Sequence, residues 1–256
     1  MFLNERGLNV LLQQSNAPES MGHTMFVLYY LTAILVLVVG QDASFYSFRT
    51  EAHQKYVALT FDDGPHKILT PRLIQSVAVL RSSHNITARL TFFVMGVKVE
   101  MHPDILRSAL AHGHEVANHV YNHPVITQIS WDELKNQLMY TSEAIFNATG
   151  SKPAVMRPPY GKTNKGLNNR IYKETRMPAI LWSLDTLDWK RPSVDEIVSL
   201  VVKRVKSGSI ILCHDIHPNT VQAIPILIHK LSEMGYVFKT VSQMIRIFSP
   251  KTLPKT

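Results

Sequence analysis

Cysteine is nearly absent from this sequence, and its absence limits how the fold can be stabilised. The 256 residues include a single cysteine, Cys213, so no disulfide can form within the chain. The composition, 45% hydrophobic and 18% charged, is that of an ordinary globular protein, and a chain of this length can bury one sizeable core. We therefore expect a fold that depends on its core rather than on covalent cross-links.

The sequence also lacks an apolar run long enough for a standard membrane-spanning helix. Its most apolar stretch, Phe26–Val39, has fourteen residues without a charge, whereas a span needs about 20 and a signal-peptide core about 7–15. We expect residues 1–45 to be an N-terminal segment with a signal peptide or membrane anchor, and the protein to be secreted or held at the cell surface. A buried helix is the alternative interpretation of this stretch. The tail, residues 249–256, is expected to be loose.

Clusters of positive charge are missing as well, although the formal net charge is +8. No run of five or more lysines and arginines occurs, and aromatic residues do not alternate with basic ones. These absences argue against a nucleic-acid partner, while the net charge favours an anionic surface such as a cell wall or membrane. A glycine-rich phosphate loop is missing too, because the first predicted strand ends in TFDDGP at residues 60–65.

What the sequence does contain, from residue 55 onward, is a regular alternation of short β-rich apolar runs and longer helical patterns. The predicted strands are Val57–Phe61, Leu90–Val94, Glu115–Asn118, Ala154–Met156, Ala179–Trp182, Ser209–Cys213 and Tyr236–Lys239. The predicted helices are Pro71–Leu80, Pro103–Ala111, Trp131–Phe146, Leu167–Glu174, Val194–Lys206 and Val221–Glu233. Strands separated by helices favour parallel pairing. The pattern predicts an α/β domain, either an irregular (β/α) barrel or an open doubly wound sheet.

Five groups of polar residues directly follow predicted strands. They are Asp62-Asp63, His119 with His123, Arg157 with Tyr160, Asp185 with Asp188 and Trp189, and His214 with Asp215. Parallel pairing brings the carboxyl ends of all these strands to one rim, where such folds build their sites. Polar residues placed at random would divide between two rims. The sequence therefore predicts a functional site at this rim.

The histidine and aspartate groups have the composition of a metal site. His119 and His123 are four residues apart, so one helical turn would place both imidazoles on the same side. With one carboxylate they would bind zinc or a similar ion and leave a coordination position open. The adjacent carboxylates of Asp62 and Asp63 repel each other; a cation bound to one relieves this, and the other can accept a proton from water. Two surface histidines and a solvated acidic turn are the alternative interpretations.

Five motifs occur in order: TFDDGP at 60–65, HVYNH at 119–123, RPPYG at 157–161, DTLDW at 185–189 and LCH at 212–214. In these motifs the chain resembles the NodB-homology polysaccharide deacetylases, carbohydrate esterase family 4. The resemblance covers residues 52–248 and implies a distorted (β/α)7–8 barrel. It also implies a hydrolase that removes acetyl groups from N-acetylated polysaccharide of the chitin or peptidoglycan kind.

The resemblance implies acid–base roles for four matching residues. Asp62 would be the general base, oriented by Arg157, and His214 would be the general acid, oriented by Asp188. The base would take a proton from the attacking water, and the acid would protonate the departing amine, which is otherwise a poor leaving group. Acetate and a free amino sugar would be the products.

Metal and substrate contacts are implied in the same way. The residues that would hold one divalent ion, zinc or else cobalt, are Asp63, His119 and His123. The backbone N–H of Tyr160 would bind the oxyanion, and Trp189 and Leu212 would line the acetyl pocket. We expect a monomer that binds an N-acetylated polysaccharide or oligosaccharide, with membrane contact only through the N-terminal segment.

One position departs from the family's pattern, because Val120 stands where the family usually has serine or threonine after the first histidine. That hydroxyl would help to fix the metal-binding loop, and losses of this kind cost about 10–100-fold in affinity or activity. Two other functions are considered: an O-acetyl ester hydrolase with the same site, like acetylxylan esterases, and a catalytically weak cell-wall-binding protein. The intact acid, base and metal ligands argue against the second.

Three polar residues near His214 are given structural interpretations. Neighbours on a strand point to opposite faces, so Cys213 is expected to be a small core residue rather than a thiol nucleophile. Asp215 and His217 are expected to cap and position the next helix, which begins near Pro218; an extension of the site is the alternative interpretation.

Overall fold

A computed structural model describes residues 43–48 and 54–248. The expected signal or anchor stretch, Phe26–Val39, and the tail, residues 249–256, lie outside the described residues. Within the described part, no helix has both the length and the hydropathy to cross a membrane. Residues 43–48 precede the boundary expected at residue 52, and they are paired with the fold: Ser44–Phe45 forms a parallel ladder with Ala179–Ile180.

Strands and helices alternate along the described residues. The strands are β1 (Ser44–Phe45), β2 (Lys55–Gly64), β3 (Thr91–Val94), β4 (Glu115–Asn118), β5 (Ala179–Ile180), β6 (Leu184–Asp185), β7 (Ser209–His214) and β8 (Tyr236–Phe238). The helices are α1 (Leu69–His84), α2 (Gly96–Met101), α3 (Pro103–Ala111), α4 (Trp131–Thr149), α5 (Lys165–Thr175), α6 (Val194–Arg204), α7 (Pro218–Glu233) and α8 (Val241–Phe248). Two short 3₁₀ turns occur at Pro159–Gly161 and Asp188–Lys190.

The strands form a parallel arrangement that curls toward a barrel. A continuous ladder runs in the order β4-β3-β2-β7-β6, and β8 pairs with the beginning of β2. Isolated parallel bridges extend the ladder from Asn118 to Met156 and from Met156 to Ala179 in β5. The extension thus ends at β5, while the other end of the ladder is β6. Because β5 and β6 belong to one short segment, residues 179–185, the two ends of the ladder meet there. The fold is the distorted α/β barrel that the motifs implied.

The central strand β2 shows how the sequence builds this barrel. Val57, Leu59 and Phe61 belong to the large core cluster that the strands form with the surrounding helices. Ala58 alternates with them and joins a second cluster with residues of β3, β4, β5 and β7. Burying a side chain such as Phe61 contributes about 1.5–3 kcal/mol. The period-two pattern therefore turns Phe61 outward to the helices and Ala58 inward, toward the other strands of the barrel. Asp62 lies on that inward face, two pairs of residues beyond Ala58.

Most predicted elements are confirmed, but the predicted strand Ala154–Met156 is not. Only Met156 pairs with its neighbours there, through isolated bridges. Pro153 and Pro158 flank this segment, and proline cannot donate to a ladder. The segment still lies between β4 and β5, so the residues that follow it reach the same rim.

Helices α4 and α6 begin where the sequence supplies a serine cap. The Ser130 side chain accepts from the Glu133 N–H at 3.2 Å. Ser193 forms a full capping box, in which its hydroxyl accepts from the Glu196 N–H and the Glu196 carboxylate accepts from the Ser193 N–H. Caps of this kind contribute about 1 kcal/mol each. They fix the residues at which the two helices begin.

Candidate active site

The most deeply buried charged pair of the rim joins Asp62 to Arg157. The Arg157 Nη1 atom donates to Asp62 Oδ1 at 2.7 Å and to Thr60 Oγ1 at 2.8 Å. Its Nε and Nη2 atoms donate to the carbonyl oxygens of Ile180 and Leu181. Burial lowers the pKa of the Arg157 guanidinium, and the charge of Asp62 opposes that shift. The network holds Oδ1 of Asp62 in one orientation, since the guanidinium that donates to it is itself anchored by Thr60 and two carbonyl oxygens.

Aromatic rings enclose the same guanidinium and connect it to a neighbouring turn. The Phe93 ring centroid lies 4.1 Å from Arg157 Cζ, and the Trp182 ring centroid lies 5.7 Å from it. Trp182 also contacts the Pro159–Gly161 turn, because a Cβ atom at Gly161 would lie 2.7 Å from its ring. Gly161 has a φ of 64°, so both its backbone and the available space require glycine. Sequence reasoning did not assign a role to Phe93 or Trp182.

A bulge at the end of β2 turns the two aspartates toward a common space. The register between β2 and β3 shifts between Asp62 and Gly64, and Asp63 has a φ of 69°. In a regular strand consecutive side chains point to opposite faces, but an extra residue in a bulge changes that direction. Asp62 Oδ2 lies 3.8 Å from His119 Nε2, and Asp63 Oδ1 lies 3.4 Å from the same atom.

Asp63, His119 and His123 form a cluster with the geometry of a metal site. Their potential ligand atoms all lie within 4.8 Å of one another, with Asp63 Oδ1 at 3.1 Å from His123 Nε2. Asp63 Oδ1 is buried and has no hydrogen-bond donor of ordinary geometry among the described residues, as expected of an oxygen that binds a cation. Burial favours the neutral acid, yet the two imidazoles hold the pKa of Asp63 well below its usual range.

The tautomer of His119 suits a metal ligand. Its Nδ1 atom lies 2.8 Å from the carbonyl oxygen of Arg157, an acceptor, so Nδ1 carries the proton and donates. In the neutral imidazole Nε2 is then the nitrogen that can bind a cation, and it lies 3.4 Å from Asp63 Oδ1. Metal-bound histidines commonly donate their second ring N–H to a carbonyl or carboxylate in this way. The two nitrogens and one oxygen of the cluster fit a zinc-like ion with an open coordination position.

The expectation that one helical turn unites His119 and His123 is wrong. Residues 119–123 form a loop, in which Val120 has a φ of 57° and His123 a φ of 66°. The imidazole centroids are nevertheless 5.0 Å apart. A β-branched residue rarely adopts a left-handed conformation, so spacing alone gave no signal of this geometry. The ligands converge because the loop folds back, rather than because a helix repeats.

On the opposite side of Asp62, His214 is held by Asp188. Asp62 and His214 are register partners on β2 and β7, so their side chains leave the sheet on one face at one level. Asp188 Oδ1 lies 2.7 Å from His214 Nδ1, and Asp188 Oδ2 accepts from the His214 backbone N–H and the Thr220 hydroxyl. Burial disfavours the imidazolium, but Asp188, with Asp62 and Asp63, raises the pKa of His214 to about 9. The imidazole is thus protonated at neutral pH.

The three residues assigned to substrate contact also lie at this rim. Tyr160 is exposed, has a φ of 57° and places its ring centroid 4.6 Å from that of His123. Trp189 is half exposed, and its Nε1 atom donates to Asp185 at 3.5 Å. Leu212 is buried on β7, two residues before His214 and therefore on the same face. Tyr160 thus lies beside His123, and Leu212 shares the His214 face of β7.

Two expectations about capping are corrected. His217 occupies the position before α7, but its side chain makes no cap hydrogen bond. Asp215 does not cap either: it is buried and accepts a short hydrogen bond from the Thr70 hydroxyl of α1. A Cβ atom at Gly64 would lie 2.6 Å from the Asp215 carboxylate oxygens, so this carboxylate packs directly beneath the turn that follows Asp63. Burial raises the pKa of Asp215 to about 7.

Cys213 is buried in the core cluster between sheet and helices, as expected. Burial raises the pKa of its thiol well above the ordinary value, and reactivity requires the thiolate. We therefore expect a chromogenic disulfide reagent to leave the native protein unlabelled and to titrate one thiol after denaturation. Rapid labelling of the native protein would contradict this assignment and reopen the thiol as a reactive group.

Comparison with known proteins agrees with the motifs. The family model described as "Polysaccharide deacetylase" matches residues 49–180. The chain belongs to the polysaccharide deacetylase family. The match includes the Asp62–Asp63 pair, His119, His123 and Arg157, while Asp188 and His214 lie beyond its end.

Relatives of this deacetylase family with established names extend the similarity over most of the described chain. Peptidoglycan-N-acetylglucosamine deacetylase PgdA of Listeria monocytogenes is 38% identical over 190 residues, which are 74% of this chain and 39% of that protein. Chitooligosaccharide deacetylase of Bradyrhizobium sp. is 34% identical over 203 residues, 73% of this chain and 90% of that protein. The chain therefore spans well under half of PgdA but nearly all of the Bradyrhizobium protein.

A solved structure gives the same result for the fold of the family. Peptidoglycan deacetylase PdaC from Bacillus subtilis superposes with a TM-score of 0.69 at 35% identity, over 79% of this chain and 95% of that one. At 35% identity the two proteins are similar in sequence as well as in fold.

Proposed function

We propose that this protein is a metal-dependent hydrolase that removes the acetyl group from N-acetylated sugars of a polysaccharide containing N-acetylglucosamine. One observation carries the proposal: a buried carboxylate, Asp62, lies between a cluster of three potential metal ligands and a protonated histidine, His214. This arrangement supplies a base, an acid and a cation site around one point. Family membership supports the reaction class, and the names of the relatives support chitin- or peptidoglycan-like substrates.

In this proposal Asp63, His119 and His123 hold one divalent ion, zinc or alternatively cobalt. Two imidazole nitrogens and one carboxylate oxygen are typical of catalytic zinc sites, which keep a position for water or substrate. When bound, such an ion polarises the acetyl carbonyl and lowers the pKa of a water molecule from 15.7 toward about 7. Asp62, whose Oδ2 lies 3.8 Å from His119 Nε2, would be the carboxylate beside an ion held there and not bound to it.

The protein's own groups then perform the proton transfers. The Asp62 carboxylate accepts a proton from water as the water oxygen bonds to the acetyl carbon, while Arg157 keeps Oδ1 oriented. The Tyr160 backbone N–H donates to the developing oxyanion. His214 delivers its proton to the amide nitrogen as the C–N bond breaks. Water and the acetamide are thus converted into acetate and a free amine on the sugar.

Substrate contact is assigned to the exposed rim. Trp189 and Leu212 line the space for the acetyl methyl group, and Tyr160 offers an exposed ring on which a sugar can stack. The net charge of +8 favours an anionic cell wall. We further propose, from the apolar stretch Phe26–Val39, that the protein is exported and acts as a secreted or surface-anchored monomer.

Metal dependence and substrate class can be tested together. The full chain, stripped with a chelator, is expected to release no acetate from chitooligosaccharides, peptidoglycan fragments or acetylxylan. Adding zinc or cobalt should restore release from at least one of the two amide substrates. Acetate is measured by a coupled enzymatic assay, with untreated enzyme as the reference.

Each other outcome points to a different conclusion. Release from acetylxylan alone would indicate an O-acetyl ester hydrolase with the same groups. Metal binding without release from any substrate would favour a cell-wall-binding protein. Failure to bind any divalent ion would refute the assignment of Asp63, His119 and His123.

A further inference from the structure

One side chain outside the loop between His119 and His123 accepts hydrogen bonds from two backbone N–H groups of that loop. Gln137 lies in α4, and its Oε1 atom accepts from the backbone N–H groups of Tyr121 and Asn122, at 2.9 Å and 3.0 Å. Because both neighbours are donors, the amide oxygen must face the loop. These two N–H groups belong to consecutive residues between His119 and His123, at the point where the chain turns back.

This loop needs such support because its conformation is costly. Val120 is a β-branched residue with a φ of 57°, and His123 has a φ of 66°. Conformations of this kind persist only where the surroundings impose them. Neither ligand spacing nor regular secondary structure fixes the distance between the imidazoles, so the external contacts must do so.

Several contacts surround the loop. The Gly96 and Val97 N–H groups of α2 donate to the Val120 and Tyr121 carbonyl oxygens, and the Tyr121 hydroxyl donates to Glu100. The Val120 side chain is buried in an apolar cluster. Its N–H donates to Asn118 Oδ1 at 2.8 Å, and Asn118 Nδ2 donates to the Leu138 carbonyl and Ser142 hydroxyl of α4. Val120 also lacks a hydroxyl with which to hold the loop itself. The backbone N–H groups of Tyr121 and Asn122 donate to the Gln137 side chain.

We propose that Gln137 is a positioning residue for the metal site, which fixes the loop between His119 and His123 through two backbone hydrogen bonds. The inference rests on the proposed function only in requiring that these histidines bind a metal ion. Gln137 is better suited to a test than Asn118, since it is only partly buried and contacts the loop from the helix surface. Asn118 is fully buried and joins β4 to α4, so its removal would disturb the barrel.

The test compares three single variants of the full chain. Gln137→Met keeps the length of the side chain but removes the acceptor, Gln137→Glu keeps an acceptor oxygen, and Asn136→Met alters the exposed neighbouring position. The zinc dissociation constant is measured by competition with a chromophoric chelator, and thermal unfolding is followed for the metal-free protein.

Gln137→Met is expected to weaken zinc binding by about 10–100-fold, the usual effect of losing a group that orients a metal ligand. Gln137→Glu should restore the affinity of the parent, and Asn136→Met should not change it. The inference is overturned if Gln137→Met binds zinc as tightly as the parent. It is also overturned if that variant lowers only the melting temperature of the metal-free protein, because the side chain would then serve stability alone.

Failure of the proposed function would look different. In that case the unaltered chain itself would not bind zinc, whatever residue stands at position 137. A parent that binds zinc and releases acetate, with a Gln137→Met variant that does the same at equal affinity, would reject this inference alone.

Discussion

Asp62→Asn is expected to lower kcat for amide deacetylation by about 10²–10⁴-fold, the usual contribution of a general base. The asparagine oxygen can still accept from Arg157 Nη1, which lies 2.7 Å from Oδ1, but the amide cannot take a proton from water. Loss of the negative charge also leaves the buried guanidinium without its counter-ion. Removing one partner of a buried ion pair lowers the free energy of unfolding by about 3–5 kcal/mol. Because the hydrogen bond to Arg157 is retained, we expect the loss for Asp62→Asn to be no larger than that.

Stability and catalysis must therefore be separated in the measurement. Thermal unfolding of Asp62→Asn is followed first, and acetate release is then measured well below its melting temperature. Zinc affinity should stay close to that of the parent, because Asp62 is not among the three ligands. Residual activity within tenfold of the parent in the folded variant would contradict the role of Asp62 as the base.

Asp63→Asn is the matched comparison, since the two carboxylates are adjacent and chemically alike. Their surroundings divide them: Asp62 Oδ1 is bonded to Arg157, while Asp63 Oδ1 lies 3.1–3.4 Å from two imidazole nitrogens. Asp63→Asn should lose zinc affinity as well as activity. The pair of variants thus separates a proton acceptor from a metal ligand, two roles that the dipeptide alone cannot distinguish.

Period-two alternation explains why much of the site is predictable from sequence. It places Asp62 inward on β2 and His214 inward on β7, and parallel pairing then brings both to one rim. Cys213 follows from the same rule, because it turns to the opposite face. Such features depend on local pattern, and local pattern is what a sequence displays.

Features that depend on distant partners were not predictable. Thr60 and Thr220 complete the hydrogen bonds of Arg157 and Asp188, yet they are 97 and 32 residues away from them in sequence. The left-handed Val120 gives no signal either, since β-branched residues normally predict extended backbone. The short strands β1 and β6, two residues each, are too brief for any periodicity.

Asp188→Asn is expected to move the alkaline limb of the pH–rate profile to lower pH. Burial favours neutral His214, and the hydrogen bond and charge of Asp188 outweigh it, raising the pKa to about 9. A general acid works only while protonated, so activity should persist to alkaline pH and fall as the imidazole loses its proton. Without the Asp188 charge, burial remains and the pKa drops. The charged groups facing His214 also include Asp62 and Asp63, and a bound cation offsets their contribution equally in parent and variant.

His214→Ala is expected to lower activity more than Asp188→Asn does. Comparing substrates with different leaving groups identifies the cause of the loss. For the amide substrate we expect kcat to fall by about 10²–10⁴-fold, because the amine departs only when protonated. An aryl acetate releases a phenolate that needs no proton, so the same variant should retain most of its activity on that ester. Asp62→Asn should lose both activities, since water must be deprotonated in either reaction. Equal losses of His214→Ala on the amide and the aryl ester would show that His214 does more than donate the final proton, and would reject its assignment as the general acid.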